Sequence, residues 1–394
     1  MAKKSVPAPP ELAKDVQQEI VDDVFVDIEK ESGEADLIDV IDRPYDPTLI
    51  RVDAKMFSLR NVLDMIDEGD LDLNPDFQRL RVWSPLQKSR LIESILLRIP
   101  LPAFYFSTEP NGKLQVVDGV QRLSTIHSFV RGGEGSTAHF RLESLEYLNE
   151  AVGGKYFGDL KNSIWAKRIN TTQIVANVID PQTPAKVKFD IFRRINTGGT
   201  PLNAQEIRHC MSGEKSRELL RTLASSKEFK LATGGKLSGH KRMADRELVL
   251  RAIAFTAEPS LEKALEAGSL ENLLNLTAEK LDAEYSPEQL QLLSMKFKDS
   301  MLKAHLLFGD RAFRKWPTVT DWKYPLNRAL FDVWGSLLAS YSVAELEGRQ
   351  VSIVEKFREL CAFDVFFREA ISSGTSDPKK ITYRFNAIRE ILSE

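Results

Sequence analysis

Apolar positions in the first half of the chain follow two different spacings, which predict strands in some segments and helices in others. Apolar runs at 114–117 and within 171–180 are typical of β-strands. Apolar residues three or four positions apart, over 59–66 and 123–130, predict amphipathic helices. From residue 213 onward the spacing is helical almost throughout. The sequence therefore predicts an α+β N-terminal domain followed by an all-helical C-terminal domain.

Composition divides the chain into three predicted parts. Residues 1–48 are rich in proline and acidic residues and poor in aromatic residues, so we expect an acidic, partly disordered arm, in which 21–30 could pair as an edge strand. Residues 49–212 form the predicted α+β domain and residues 213–394 the helical domain. The arm carries 13 acidic and 5 basic residues, whereas the remainder carries 44 acidic and 49 basic residues. The arm either shields an anion-binding surface or acts as a solubilising tail.

Composition also argues against several classes of protein. Cys210 and Cys361 are the only cysteines, which argues against a disulfide framework and fits a reducing cytoplasm. The five histidines are scattered without Cys/His ligand spacing, so no metal site is predicted. No apolar run reaches the length of a membrane span, and the N-terminus lacks the apolar core of a signal peptide. We therefore expect a cytoplasmic protein without a membrane partner.

The most informative segment joins the predicted strand 114–117 to the helix that follows. Gly119 permits a tight turn, and Asp118 is a candidate cap for the helix. Gln121 and Arg122 then fall in the first helical turn, where the helix dipole disfavours an arginine. An anion at the helix start, most simply a phosphate, would explain Arg122. An ion pair between Arg122 and Asp118 is the alternative.

A polar-aromatic loop before the predicted helix 85–97 holds Gln78, Arg79 and Arg81. Amide and guanidinium groups of this kind bind phosphates or read base edges. The alternative is a surface loop whose aromatic residues plug the core. Within the helix, Glu93 could orient an arginine or hold Mg²⁺ through water, or it could be a solvated helix glutamate.

A glycine-rich loop between two predicted helices is a further candidate for phosphate binding. Two glycines beside hydroxyl residues can form a concave nest of backbone N–H groups, which suits anions. The alternative is a helix end followed by a helix start capped by Asn203. The candidate residues of this loop are Asn196, Thr197, Gly198 and Gly199.

Four segments, in this order and spacing, resemble the family called domain of unknown function 262. They read NPDFQRLRVWS, LIESILLRIPLPAFYF, VVDGVQRLSTIHSF and FRRINTGGTPLNAQEIR. That family is similar to the GmrS half of the GmrSD modification-dependent restriction systems, and its N-terminal domain resembles the ParB/sulfiredoxin fold. The resemblance covers 56–260 and implies a ParB/sulfiredoxin-like fold for the predicted α+β domain.

By this resemblance, Asp118, Gly119, Gln121 and Arg122 match the family's DGQQR motif, with Val120 in place of its first glutamine. The motif is implicated in nucleoside triphosphate binding and hydrolysis. The resemblance thus implies Asp118, Gln121 and Arg122 as catalytic residues and Gly119 as a nucleotide-binding residue.

Gln78 and Arg79 match the family's [YF]-Q-R motif, which is implicated in the recognition of nucleotides or modified DNA, and Phe77 replaces its commoner tyrosine. Arg81 and Glu93 are predicted supporting residues. Some family members carry a C-terminal HNH nuclease domain, and the sequence contains no such motif.

The resemblance implies a regulatory component of a prokaryotic anti-phage or modification-dependent restriction system. It would bind a nucleoside triphosphate with Mg²⁺, with hydrolysis as a further expectation, and act on DNA or on a partner nuclease. The expected partners are a separate nuclease or ATPase subunit, DNA and a second copy of the chain. The alternatives are a non-enzymatic, ParB-like DNA-binding clamp and a partner-binding scaffold.

Overall fold

The computed structural model of the 394-residue chain describes residues 16–21, 24–30, 51–73, 83–109, 111–132, 140–195, 202–240, 242–320 and 322–394. The chain divides into two compact units. The helical unit comprises Met1–Asp42 and Ser212–Glu394, and the sheet unit comprises Arg43–Met211. None of the helices in the described ranges is long and apolar enough to cross a membrane.

The first described element is a two-stranded antiparallel hairpin within the predicted acidic arm. It consists of β1, Gln18–Val21, and β2, Val24–Glu29. This hairpin belongs to the helical unit, although it lies at the other end of the sequence.

A five-stranded mixed sheet is the centre of the sheet unit, in the order β3-β7-β5-β6-β4. The pairs β3/β7 and β5/β6 are antiparallel, whereas β5/β7 and β4/β6 are parallel. This sheet, in the N-terminal half of a chain with helices in the C-terminal region, confirms the predicted α+β class. The strands are β3, Val52–Ser58; β4, Leu71–Asp72; β5, Phe104–Thr108; β6, Leu114–Asp118; and β7, Gln173–Ile179.

Helix boundaries in the sheet unit follow local capping signals. Ser58 accepts a hydrogen bond from the Asn61 N–H at 3.2 Å, and Gly69 ends the first helix in the left-handed region. Ser84 and Gln87 form a capping box at the second helix. The helices are α1, Leu59–Glu68; α2, Pro85–Leu96; α3, Val120–Val130; α4, Asn149–Val152; α5, Phe157–Leu160; α6, Ile164–Thr171; α7, Ala185–Ile195; and α8, Ala204–Met211.

The apolar core of the sheet unit lies between the sheet and a layer of helices. Phe104 and Phe106 of β5 are fully buried in it, as is Val116 of β6. Helices α1, α2, α3 and α6 contribute buried apolar residues to the same cluster. This packing fixes the end of β6 and the start of α3, where the candidate site lies.

The helical unit has a charged centre within its apolar core. Asp332 is fully buried and accepts hydrogen bonds from Arg251 Nε and from an Arg384 terminal nitrogen, each at 2.8 Å. The helices are α9, Glu214–Ala224; α10, Lys227–Thr233; α11, Ala244–Ala257; α12, Leu261–Leu265; α13, Leu270–Ala283; α14, Pro287–Phe308; α15, Arg328–Leu337; α16, Val343–Gly348; α17, Gln350–Phe363; α18, Val365–Ala370; and α19, Pro378–Ser393.

The β1–β2 hairpin is built into this helical unit. Ile28 is fully buried in its core, and the Glu29 N–H donates to the Leu326 carbonyl at 2.8 Å. Arg314 forms two hydrogen bonds with the Asp27 carboxylate, at 2.8 and 2.9 Å. This part of the predicted arm is therefore a structural component of the unit and more than a solubilising tail.

Candidate phosphate-binding site at the start of helix α3

A sharp turn between β6 and α3 depends on Gly119. Its φ angle is +100°, in the left-handed region that favours glycine. A Cβ atom at this position would lie 2.2 Å from Phe104 Cδ1. Gly119 is also the N-cap residue, and no side chain among the described residues caps the helix. The prediction that Asp118 caps α3 is therefore wrong, because its carboxylate is turned to Arg122 instead.

Arg122 ties the start of β5 to the end of β6. Its guanidinium donates to Asp118 Oδ2 at 2.9 Å, to the Ala103 carbonyl at 3.2 Å and to the Pro102 carbonyl. The guanidinium carbon also lies 4.2 Å from the centroid of the Phe104 ring. The ion pair that the sequence left as an alternative is thus present, and three of the five N–H donors of Arg122 are in use.

The surroundings of Arg122 make it a fixed positive charge. Its side chain is 13% exposed, whereas that of Asp118 is 34% exposed. Burial lowers the pKa of Arg122, and the neighbouring Asp118 carboxylate opposes this shift. The guanidinium still remains charged, because an arginine starts from a pKa far above neutrality.

The first turn of α3 contains backbone N–H groups that can bind an anion, and the charge of its Arg122 is balanced by Asp118, which precedes the helix. It contains no acidic residue, and the first N–H groups of any helix lack intrahelical acceptors. Gln121 is half-buried, and its side chain makes no hydrogen bond with another described residue. Val120, by contrast, is buried and packs into the apolar core. Chemically, this helix start can accept an anion, with Gln121 as an additional donor.

The far end of α3 is anchored to α1 by charged side chains. His127 Nε2 lies 2.7 Å from Asp67 Oδ1, and Arg131 Nε lies 2.9 Å from Asp67 Oδ2. Arg131 also contacts Asp64. With Arg122 holding its first turn, α3 is fixed at both ends.

Glu93 has a structural role that the sequence did not indicate. Its carboxylate accepts the N–H groups of Glu146, Tyr147 and Leu148 at 3.0, 2.7 and 2.8 Å. Burial alone would raise the pKa of Glu93, but these three donors, together with Arg90, lower it below its usual value. The interpretation as a solvated helix glutamate is wrong, because only 4% of the residue is exposed.

Several predicted site residues lie outside the described residues. In the loop before α2 these are Gln78, Arg79 and Arg81. In the loop after α7 they are Asn196, Thr197, Gly198 and Gly199.

The boundary of the second loop with α8 is described. The Glu206 N–H donates to Asn203 Oδ1 at 2.8 Å, and the Asn203 N–H donates to the Glu206 carboxylate at 2.7 Å. This pair agrees with the predicted cap at Asn203. Among the described residues, no group of three or more His, Cys, Asp and Glu side chains could hold a metal ion.

Sequence reasoning missed the groups that hold Arg122 in place. The sequence identifies Phe104 only as a core residue of a strand. The carbonyl groups of Pro102 and Ala103 carry no side-chain signal at all.

Comparison with known proteins covers most of the sheet unit, from residue 59 onward. Residues 59–211 match the family described as GmrSD restriction endonuclease, N-terminal domain. This part of the chain is therefore similar to a domain that occurs in restriction systems. No curated protein matches the chain. The likeness to domain of unknown function 262 and to the ParB/sulfiredoxin fold stays a prediction from the sequence.

Proposed function

We propose that the sheet unit binds the phosphates of a nucleoside triphosphate at the start of α3. The observation that carries this proposal is an uncapped helix start, without an acidic residue, beside the fixed charge of Arg122. Backbone N–H groups, the helix dipole and a guanidinium there favour the same ligand charge. The similarity of 59–211 to a domain of restriction endonucleases supports a role in a restriction system.

Each residue of the site has a separate task in this proposal. Gln121 and the first-turn N–H groups contact the phosphates. Arg122 contributes mainly through its charge, because three of its donors already hold the protein together. Asp118 orients Arg122, and Gly119 forms the turn that brings the end of β6 to the helix start while leaving room for Phe104.

The sequence resemblance adds candidate residues from two loops that lie outside the described residues. Gln78, Arg79 and Arg81 would come from the loop before α2, and 196–199 from the loop after α7. Mg²⁺ would arrive with the triphosphate, whose oxygens are its usual ligands in such sites.

The geometry favours nucleotide binding over hydrolysis. Asp118 is paired with Arg122 at 2.9 Å, so its carboxylate is not free to activate water. Val120, which replaces a glutamine of the family motif, is buried in the core and does not offer a polar group. We therefore propose a nucleotide-sensing regulator that acts on DNA or on a separate nuclease or ATPase subunit. A partner-binding scaffold without a nucleotide is the second candidate, because Arg122 is well satisfied by protein groups alone.

The test is nucleotide affinity measured by calorimetry with ATP, GTP, CTP and UTP, each with Mg²⁺. Gln121→Glu places a carboxylate in the first turn, which repels a phosphate by roughly 2–3 kcal/mol at an effective dielectric constant near 20. Affinity should therefore fall by roughly thirtyfold to a hundredfold. The same carboxylate interacts favourably with the dipole at the start of α3, so the melting temperature of the variant should not fall.

Ile164→Glu is the matched control, because Ile164 is 58% exposed in the first turn of α6, which also lacks an acidic residue. It should leave nucleotide affinity unchanged. Failure of the parent protein to bind any of the four triphosphates would overturn the proposal and favour the scaffold. Equal affinity of the parent and Gln121→Glu would overturn the assignment of the site. Phosphate release with and without DNA separates a sensor from a hydrolase.

A further inference from the structure

Strand β3 forms an edge of the five-stranded sheet among the described residues. Its first five residues, 52–56, are all exposed. An edge strand of this length presents a row of N–H and C=O groups that can pair with another strand.

Two backbone hydrogen bonds show which groups of β3 face outward. The Arg51 carbonyl accepts the Asp180 N–H at 3.0 Å, and the Leu59 N–H donates to the Thr172 carbonyl at 2.9 Å. Both bonds point toward β7. Because backbone groups alternate in direction along a strand, the odd-numbered residues of β3 face β7. The outward N–H and C=O groups belong to Val52, Ala54, Met56 and Ser58.

This edge is complementary to itself in a register centred on Ala54. When β3 pairs antiparallel with β3 of a second copy around Ala54, the outward backbone N–H and C=O groups of the two strands face each other. Asp53 of each copy then lies opposite Lys55 of the other. Centres on Asp53 or on Lys55 would instead place like charges directly opposite each other, which destabilises strand pairs. The side chains of Asp53 and Lys55 make no ion pair or hydrogen bond with another described residue.

The same register joins exposed apolar side chains. Met56 is 67% exposed and lies opposite Val175 of β7, which is 40% exposed. In the register centred on Ala54, Val52 of a second copy lies on the other side of Met56. Directly opposite residues share one face of a sheet, so these side chains would form one continuous apolar strip.

We propose that β3 is a dimer interface, in which it pairs antiparallel with β3 of a second copy around Ala54. The two five-stranded sheets then become one continuous sheet. The pairing contributes charge complementarity at Asp53 and Lys55 and covers the exposed side chains of Val52 and Met56. Because the interface is one strand wide, we expect a dissociation constant in roughly the micromolar range.

Sedimentation equilibrium of the full chain tests the proposal with a charge exchange. The parent should approach twice the 44.6 kDa chain mass as its concentration rises. Lys55→Asp and Asp53→Lys each create two like-charge pairs, so each alone should dimerise about tenfold more weakly or worse. Mixed together, they restore both opposite-charge pairs and should form a heterodimer. The proposal would be overturned if the parent stayed monomeric at 200 μM, which is roughly a hundredfold above a micromolar dissociation constant. It would also be overturned if the single variants dimerised like the parent.

A thiol cross-link tests the register. Ala54→Cys places two sulfurs across the symmetry axis, where opposite Cα atoms lie about 5.5 Å apart, and added copper phenanthroline should oxidise the two thiols to a disulfide. Met56→Cys is the matched control, since its two copies would lie four residues apart along the strands. Cys210 and Cys361 are buried, so the parent should not cross-link. Equal cross-linking of both variants, or none by Ala54→Cys, would overturn the register.

Discussion

Replacing Gly119 with alanine should destabilise the sheet unit strongly, because two separate costs meet at this residue. The φ angle of +100° lies in the left-handed region, which costs an alanine roughly 1–2 kcal/mol. The new Cβ would also lie 2.2 Å from Phe104 Cδ1 and 2.8 Å from Cε1. Ordinary carbon contacts are about 3.5–4.0 Å, so the ring or the turn must move by more than 1 Å.

Phe104 has little room to move. Its side chain is fully buried, and its ring lies 4.2 Å from the Arg122 guanidinium carbon and 6.5 Å from the Phe106 ring centroid. Overpacking of this kind costs roughly 1–3 kcal/mol. Together with the backbone strain, Gly119→Ala should lower the free energy of unfolding by about 2–5 kcal/mol. For a unit of this size, the melting temperature should fall on the order of 10 °C.

Gly112→Ala is the matched control in the same unit. Gly112 has a φ angle of +86°, but nothing lies within 4 Å of its added Cβ. Urea denaturation of both variants therefore separates backbone strain from steric overlap. Phe104→Leu combined with Gly119→Ala should recover part of the loss, as a double-mutant cycle would measure. Equal destabilisation by the two glycine substitutions would refute the reasoning about the close approach of Phe104.

Two further predictions concern the buried charges. Glu93→Gln should destabilise the sheet unit by about 2–4 kcal/mol in chemical denaturation at neutral pH, because three backbone N–H groups lose a charged acceptor. Because the pKa of Glu93 is lowered in the folded state, the charged carboxylate stabilises the fold fully above the ordinary pKa of 4.5, and this stabilisation is lost as the pH falls through the folded pKa. The unfolding free energies of parent and variant should therefore converge in acid. A difference that stays constant with pH would contradict a charged Glu93. Asp27→Asn should destabilise the helical unit by about 2–3 kcal/mol, measured by thermal unfolding, because Arg314 loses its buried counter-ion. Asp310→Asn is the control, because Asp310 lies in the same unit and its side chain, which pairs with Lys323, is 72% exposed. Equal effects of both substitutions would contradict the role of the hairpin.

The parts of the fold that the sequence predicted are those with local signals. The helix predicted from apolar spacing over 59–66 is present as α1, and Ser58 and Gly69 bound it through capping contacts between residues three or four positions apart. The Asn203 cap at the start of α8 is confirmed for the same reason. Element type followed from apolar spacing, so the α+β class was readable as well.

The parts that the sequence did not predict depend on contacts between distant segments. Glu93 binds N–H groups 53 to 55 residues further along the chain, which no local pattern reveals. Asp118 had two reasonable partners, the helix start and Arg122, and the carbonyl groups of Pro102 and Ala103 help to place the guanidinium beside it. Composition alone indicated a solubilising tail for the arm, because a sequence does not distinguish buried acidic residues from exposed ones.

The hairpin that contains Asp27 also sets an order for synthesis of the chain. Its ion-pair partner Arg314 lies 287 residues later, and the sheet unit is encoded between them. At about 5–20 residues per second, the ribosome delivers that partner roughly 15–60 s after the hairpin emerges. During this interval β1 and β2 have unpaired edges, which invite aggregation. Until Arg314 and Lys315 are synthesised, Asp27 and Glu29 are negative charges without these partners, and charged side chains on a strand edge oppose pairing with another chain.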